Sequence, residues 1–139
     1  MPTSNTETLA HVPTFTATPA ARIALWVSTG LFCGAFALSG AMFLIGPPDV
    51  VTKFRHLGYP DYFRQLLGVA KLLGVAALVL RPPSPILREW AYAGFTFTCV
   101  GAAVSHVMSG DAVGKAVAPL VALALLVTSY LLRRRVRAA

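Results

Sequence analysis

Residues 63–80 read FRQLLGVAKLLGVAALVL, an apolar stretch with Arg64 at its start and a single charge, Lys71, near its middle. Such a stretch is close to the roughly 20 residues that cross a hydrocarbon core as a helix. A lysine at its centre costs roughly 2.5–3.5 kcal/mol on insertion scales. Lys71 is about nine residues from either end, or roughly 13 Å at the helical rise. A lysine side chain does not snorkel that far with ease, so the depth places Lys71 on the inside of a helix bundle.

Three more stretches have the same character. Residues 23–45 carry no charge, residues 90–108 are uncharged apart from His106, and residues 116–132 contain the run Val121-Ala122-Leu123-Ala124-Leu125-Leu126-Val127. Only helices or closed barrels satisfy their backbone in lipid, and no alternating apolar and polar pattern supports a barrel. Gly46-Pro47-Pro48, Arg81-Pro82-Pro83-Ser84-Pro85 and Ser109-Gly110-Asp111 separate the spans. Short connections make sequential spans antiparallel neighbours. The expected fold is an all-α membrane protein, an antiparallel four-helix transmembrane bundle filling 22–132. Residues 1–21, Thr-rich with Pro13 and Pro19, are expected to be a disordered tail, and 133–139 a basic cytoplasmic tail.

Composition agrees. The 139 residues are 56% hydrophobic and 12% charged, with mean hydropathy +0.68. Soluble domains carry about 25% charge. The net charge of +7 raises the question of nucleic acid. Here, however, the basic residues cluster at the ends of apolar runs, as in a protein facing an anionic leaflet, so the expected partner is the lipid bilayer and no nucleic acid. With four spans, Arg22, Arg81, Arg88, Arg133, Arg134, Arg135 and Arg137 share one side, against Lys53, Arg55, Arg64 and Lys115 on the other. The excess of basic residues puts both termini in the cytoplasm.

The connection 49–62 has its own pattern. Val50, Phe54 and Leu57 recur at i, i+4 and i+7 while Lys53, Arg55 and His56 point elsewhere, the spacing of a short interfacial helix. It is either a surface anchor or a lid over a cavity in the bundle. Asp61 is placed to cap the helix that follows.

Four groups of residues carry a resemblance: Leu57-Gly58-Tyr59-Pro60; Gly68-Val69-Ala70-Lys71-Leu72-Leu73-Gly74; Glu89-Trp90-Ala91-Tyr92-Ala93-Gly94; and Gly101-Ala102-Ala103-Val104-Ser105-His106 with Gly110-Asp111. In this order, over about 29–132, the chain resembles the DoxX-like family of small four-helix bacterial membrane proteins. The resemblance implies an inner-membrane location. It also implies a link to membrane redox chemistry, because the family's namesake is a subunit of a thiosulfate:quinone oxidoreductase. On that basis the chain is expected to be an accessory or quinone-interacting subunit, with quinone as candidate cofactor and oxidoreductase subunits as partners. The alternatives are a small-solute carrier or channel, oligomeric or not, and a membrane-anchored interaction protein without catalysis.

The candidate ligand-binding or polar-core residues are Lys71, His106, Glu89, Ser105 and Ser39. Lys71 either joins helices as a hydrogen-bond post or donates to a ligand carbonyl; Ser39, Thr96 and Thr98 are at suitable depths to partner it. His106, beside Ser105 at the outer end of the third span, either passes protons or is an interfacial histidine satisfied by Asp61, Asp111 or a carbonyl. Glu89 opens the third span, where the helix dipole and Arg81 or Arg88 favour it; Trp90 and Tyr92 read as interfacial anchors. Glu89 and Lys71 differ in depth by roughly 15 Å, too far for an easy ion pair. Cys33 and Cys99 share a depth, yet without a C-x-x-C they read as packing residues. Gly30 with Gly34, and Ala70 with Gly74, are pairs that admit a close neighbour, within the bundle or in a homo-oligomer. His56 is the one plausible companion for His106, and no metal site is expected. No Ser-His-Asp set, phosphate loop or paired catalytic carboxylates appears, so nothing in the sequence supports a self-sufficient enzyme.

Overall fold

In the computed structural model, which describes residues 18–80 and 84–138, each apolar stretch is a helix. The elements are α1 (Pro19–Ile45), α2 (Pro48–His56), α3 (Asp61–Val79), α4 (Pro85–Met108) and α5 (Val113–Ala138). Helices α1, α3, α4 and α5 are long and apolar enough to cross a membrane, so the protein is an all-α membrane protein with the expected short helix between its first two spans.

Several boundaries differ from expectation. Helix α1 starts at Pro19, because Thr18 accepts a hydrogen bond from the Ala21 amide at 3.3 Å and proline suits the first helical position. The end of the expected tail is thus helical, and 1–17 lies outside the described residues. Helix α4 begins at Pro85 for the same reason, with Ser84 accepting from Ile86. Helix α5 runs on to Ala138, so the arginines expected in a tail sit on a helix that outlasts its apolar stretch. Asp61 is the first residue of α3 rather than its cap, which is Pro60. There its carboxylate meets the dipole and pairs with Arg55 at 3.6 Å.

The four spans pack in a ring, α1 against α3, α3 against α4, α4 against α5 and α5 against α1. Their outer surface is apolar: Trp26 is 73% exposed, Leu73 66% and Phe97 78%, as lipid contact requires. Inside, Phe32 and Phe36 stack at 4.2 Å, and Phe95 meets each edge-on at 5.0 Å. Cys33, Cys99, Leu78 and Leu126 complete this centre, both cysteines being free thiols.

Helices α1 and α3 approach closest at Gly40 and Gly68. A Cβ on Gly40 would lie 3.2 Å from the Gly68 carbonyl oxygen, and one on Gly68 would lie 3.0 Å from that of Gly40. Gly74 leaves room for the Phe95 ring, 2.7 Å from where its Cβ would be. Gly30 and Gly34, by contrast, have nothing within 4 Å of that position, so they close no contact inside the bundle.

Each end of the bundle has a polar tie. Towards the termini, Ser129 is bonded to Thr29 at 2.6 Å and to Tyr92 at 3.0 Å, joining α1, α4 and α5. Tyr92 is therefore a buried strut, not an interfacial anchor; Trp90 alone faces outward. At the opposite end, buried Arg64 in the first turn of α3 donates to the Phe43 carbonyl in the last turn of α1. Carbonyls in that turn lack helical partners, so the guanidinium closes α1 where Gly46 turns the chain at φ 70°.

Candidate functional site

The α3–α4 seam is the least densely packed of the four, and a cavity of about 440 Å³ opens there. Its size falls within the range of small-molecule sites. Phe63 and Leu67 of α3 form one wall, and Phe97, Gly101 and Ser105 of α4 the other. Val50, Phe54 and Leu57, the apolar stripe of α2, form the roof with Tyr59. Lys71 is the floor.

The floor is built by the packing just described. Because α1 and α3 touch at Gly40 and Gly68, Ser39 comes within reach of Lys71, one turn further along α3. The Lys71 Nζ donates to Ser39 Oγ at 2.9 Å. It also lies 3.9 Å from the Phe43 ring centroid and 5.0 Å from that of Phe36. The side chain is 7% exposed, so a hydroxyl and two π faces stand where water would otherwise be. Thr96 and Thr98 bond back to the Tyr92 and Gly94 carbonyls, the local alternative open to helical threonines. On the far side of Lys71 a smaller cavity of about 150 Å³ lies against Gly74, Trp90 and Phe95; Lys71 and Thr98 border both spaces.

The rim is tied by Asp111, in the turn between α4 and α5. Its carboxylate accepts from Lys115 at 2.6 Å, from His106 Nδ1 at 2.7 Å and from His56 Nε2 at 3.2 Å. These hydrogen bonds, Lys115 first, then His106 and His56, hold the Asp111 carboxyl well below the usual carboxylate range. One carboxylate thus connects the roof, one wall and the fourth span. Beside it, the Tyr59 hydroxyl lies 2.7 Å from that of Ser105, which donates to the Gly101 carbonyl at 2.7 Å.

Of the residues singled out in the sequence, Lys71, Ser105 and His106 line one cavity, and Ser39 stands behind Lys71 as its acceptor. Glu89 does not. It is exposed near the start of α4, at the end of the bundle that carries the termini. Arg81, one of its expected partners, lies outside the described residues. Among those residues no three His, Cys, Asp or Glu side chains are placed to hold a metal ion together. Asp111 and the aromatic wall of Phe43, Phe54, Phe63 and Phe97 were not among the candidates. Phenylalanines scattered over four elements leave little trace in a linear pattern beyond the stripe at Val50, Phe54 and Leu57, whereas Asp111 enters the sequence reading only as one of the partners open to His106.

The arrangement suits binding better than bond-breaking. Ser105 is next to His106 in sequence, but its hydroxyl is engaged by Tyr59 and Gly101, so no activated nucleophile results. What the cavity offers is an aromatic-lined groove, open along Phe97, with an ammonium at its deep end.

The family model described as DoxX-like family matches residues 27–129. No curated protein and no solved structure matches the chain.

Proposed function

The chain belongs to the DoxX-like family, and on that premise we propose that it is a quinone-interacting inner-membrane protein, an accessory subunit of membrane redox chemistry. The observation that carries this reading is Lys71: an ammonium buried at the foot of an apolar, aromatic-lined cavity, with Ser39 as its single hydrogen-bond acceptor among the described residues. A quinone ring fits between the phenylalanines, and one of its carbonyl oxygens takes a free Lys71 N–H. Both termini are assigned to the cytoplasm by the excess of arginines at that end. The cavity then lies in the periplasmic half of the membrane, beneath α2. Oxidoreductase subunits, or a second copy of the chain, are the proposed partners.

Extraction and mass spectrometry of lipids that co-purify with the protein test this directly. Quinone recovered with the wild type and lost in Lys71→Leu supports the reading, and a wild type free of quinone overturns it. A second reading, a small-solute carrier, is favoured by the second cavity on the far side of Lys71, which gives the side chain a space on each side along the α3–α4 seam. Uptake into proteoliposomes that is unchanged by Lys71→Leu and His106→Leu counts against that alternative.

A further inference from the structure

The chargeable side chains around the larger cavity are all basic: Lys71 at the floor, Lys53 and His106 at the rim. No aspartate or glutamate lines it. Nor does any ion pair among the described residues include Lys71 or Lys53. Asp111, the carboxylate at the rim, is engaged by Lys115, His106 and His56 and is turned to the clasp rather than to either lysine.

An ammonium in an apolar interior needs a partner, and the rings of Phe36 and Phe43 answer it only in part. Ser39 takes one of its three N–H groups. The balance of charge is therefore left for the occupant to complete. Resting on the cavity reading above, we propose that the preferred ligand carries an ionised oxygen on an apolar body: an acidic hydroxyquinone or a fatty carboxylate, rather than a neutral quinone. The oxyanion pairs with the Lys71 ammonium, the body lies against the phenylalanines, and exposed Lys53 on α2 draws the anion to the rim. A charge-assisted hydrogen bond is stronger than a neutral one, and a dry wall enlarges the difference.

The test compares two matched pairs on the full-length protein in phosphatidylcholine nanodiscs at neutral pH. One pair is a 3-alkyl-2-hydroxy-1,4-naphthoquinone and its methyl ether; the other is myristate and methyl myristate. The expected result is that the ionised member of at least one pair binds about tenfold more tightly, the ratio that one charge-assisted contact supplies. The pair that shows it identifies the source of the anion. Lys71→Gln is expected to abolish the preference and Lys71→Arg to keep it. Equal binding within both pairs overturns the inference and leaves the cavity reading standing, whereas no binding of any probe overturns both. These comparisons are made on the wild type and hold whether or not the variants fold. A preference undiminished in folded Lys71→Gln refutes the assignment to Lys71.

Discussion

Gly40 and Gly68 lie face to face across α1 and α3, each so near the other's carbonyl oxygen that a Cβ on either would sit 3.0–3.2 Å from it. This contact sets the distance over which Lys71 reaches Ser39. Substituting Gly68→Val or Gly40→Val forces the helices apart, and overpacking of this kind costs roughly 1–3 kcal/mol. Thermal unfolding in detergent is expected to show the loss, with quinone retention falling alongside. Gly34→Val, on the open face of the same helix, is expected to leave both unchanged.

The Lys71–Ser39 pair separates stability from binding. Ser39→Ala leaves the ammonium without its acceptor, and an unsatisfied buried donor costs about 1–3 kcal/mol. Lys71→Leu removes the charge altogether, and apolar replacement of a buried ion is often neutral or stabilising. The melting temperature is therefore expected to drop in Ser39→Ala and to hold or rise in Lys71→Leu, although Lys71→Leu is the variant that loses ligand. A large loss of stability in Lys71→Leu would make the lysine a structural post.

Asp111 gives the α2 end of the bundle its pH dependence. Its carboxyl titrates below the ordinary carboxylate value in the folded protein, so its contribution is complete above about pH 4. That contribution is lost as the pH falls further, through the depressed folded value. Unfolding followed across the acid range is expected to show this decline in the wild type and a weaker one in Asp111→Asn. At neutral pH the same variant unfastens α2, which hydrogen exchange is expected to report as faster labelling over 48–58.

Orientation is open to chemical labelling. Lys53 on α2 and Arg135 near the end of α5 are both exposed, whereas Cys33 and Cys99 are buried. In intact cells Lys53→Cys is expected to react with a membrane-impermeant maleimide, and Arg135→Cys only after lysis. The reverse pattern would invert the topology.

The architecture was legible because four long apolar runs, with one interior charge among them, have few folds open to them in lipid. The helix ends were less so. Pro19 and Pro85 look like breaks in a linear reading, yet each begins a helix behind a hydroxyl cap. Arg133 and its neighbours mark where the apolar stretch stops, not where α5 stops. At the site, depth put Ser39, Thr96 and Thr98 within reach of Lys71, and the folded packing chooses Ser39 while both threonines bond back to their own helix. Asp111 was one of three partners open to His106, but its meeting with His56 and Lys115 on one carboxylate needs α2, α4 and α5 folded together. Tyr92 was misjudged because aromatic residues near a span end usually sit at the interface, and here Ser129 offers an inward partner.

A carboxylate with two oxygens and three basic donors has a further consequence at Asp111. His56 and Lys115 share Oδ1 while His106 takes Oδ2, so removing either donor on Oδ1 leaves that oxygen to the other. Substitutions on α2, α4 and α5 at this point are therefore not independent in their effects. Any one loss is cushioned by the remaining pair, while loss of Asp111 itself releases all three at once, giving the α2 end of the bundle redundancy in its donors and a single point of failure in their acceptor.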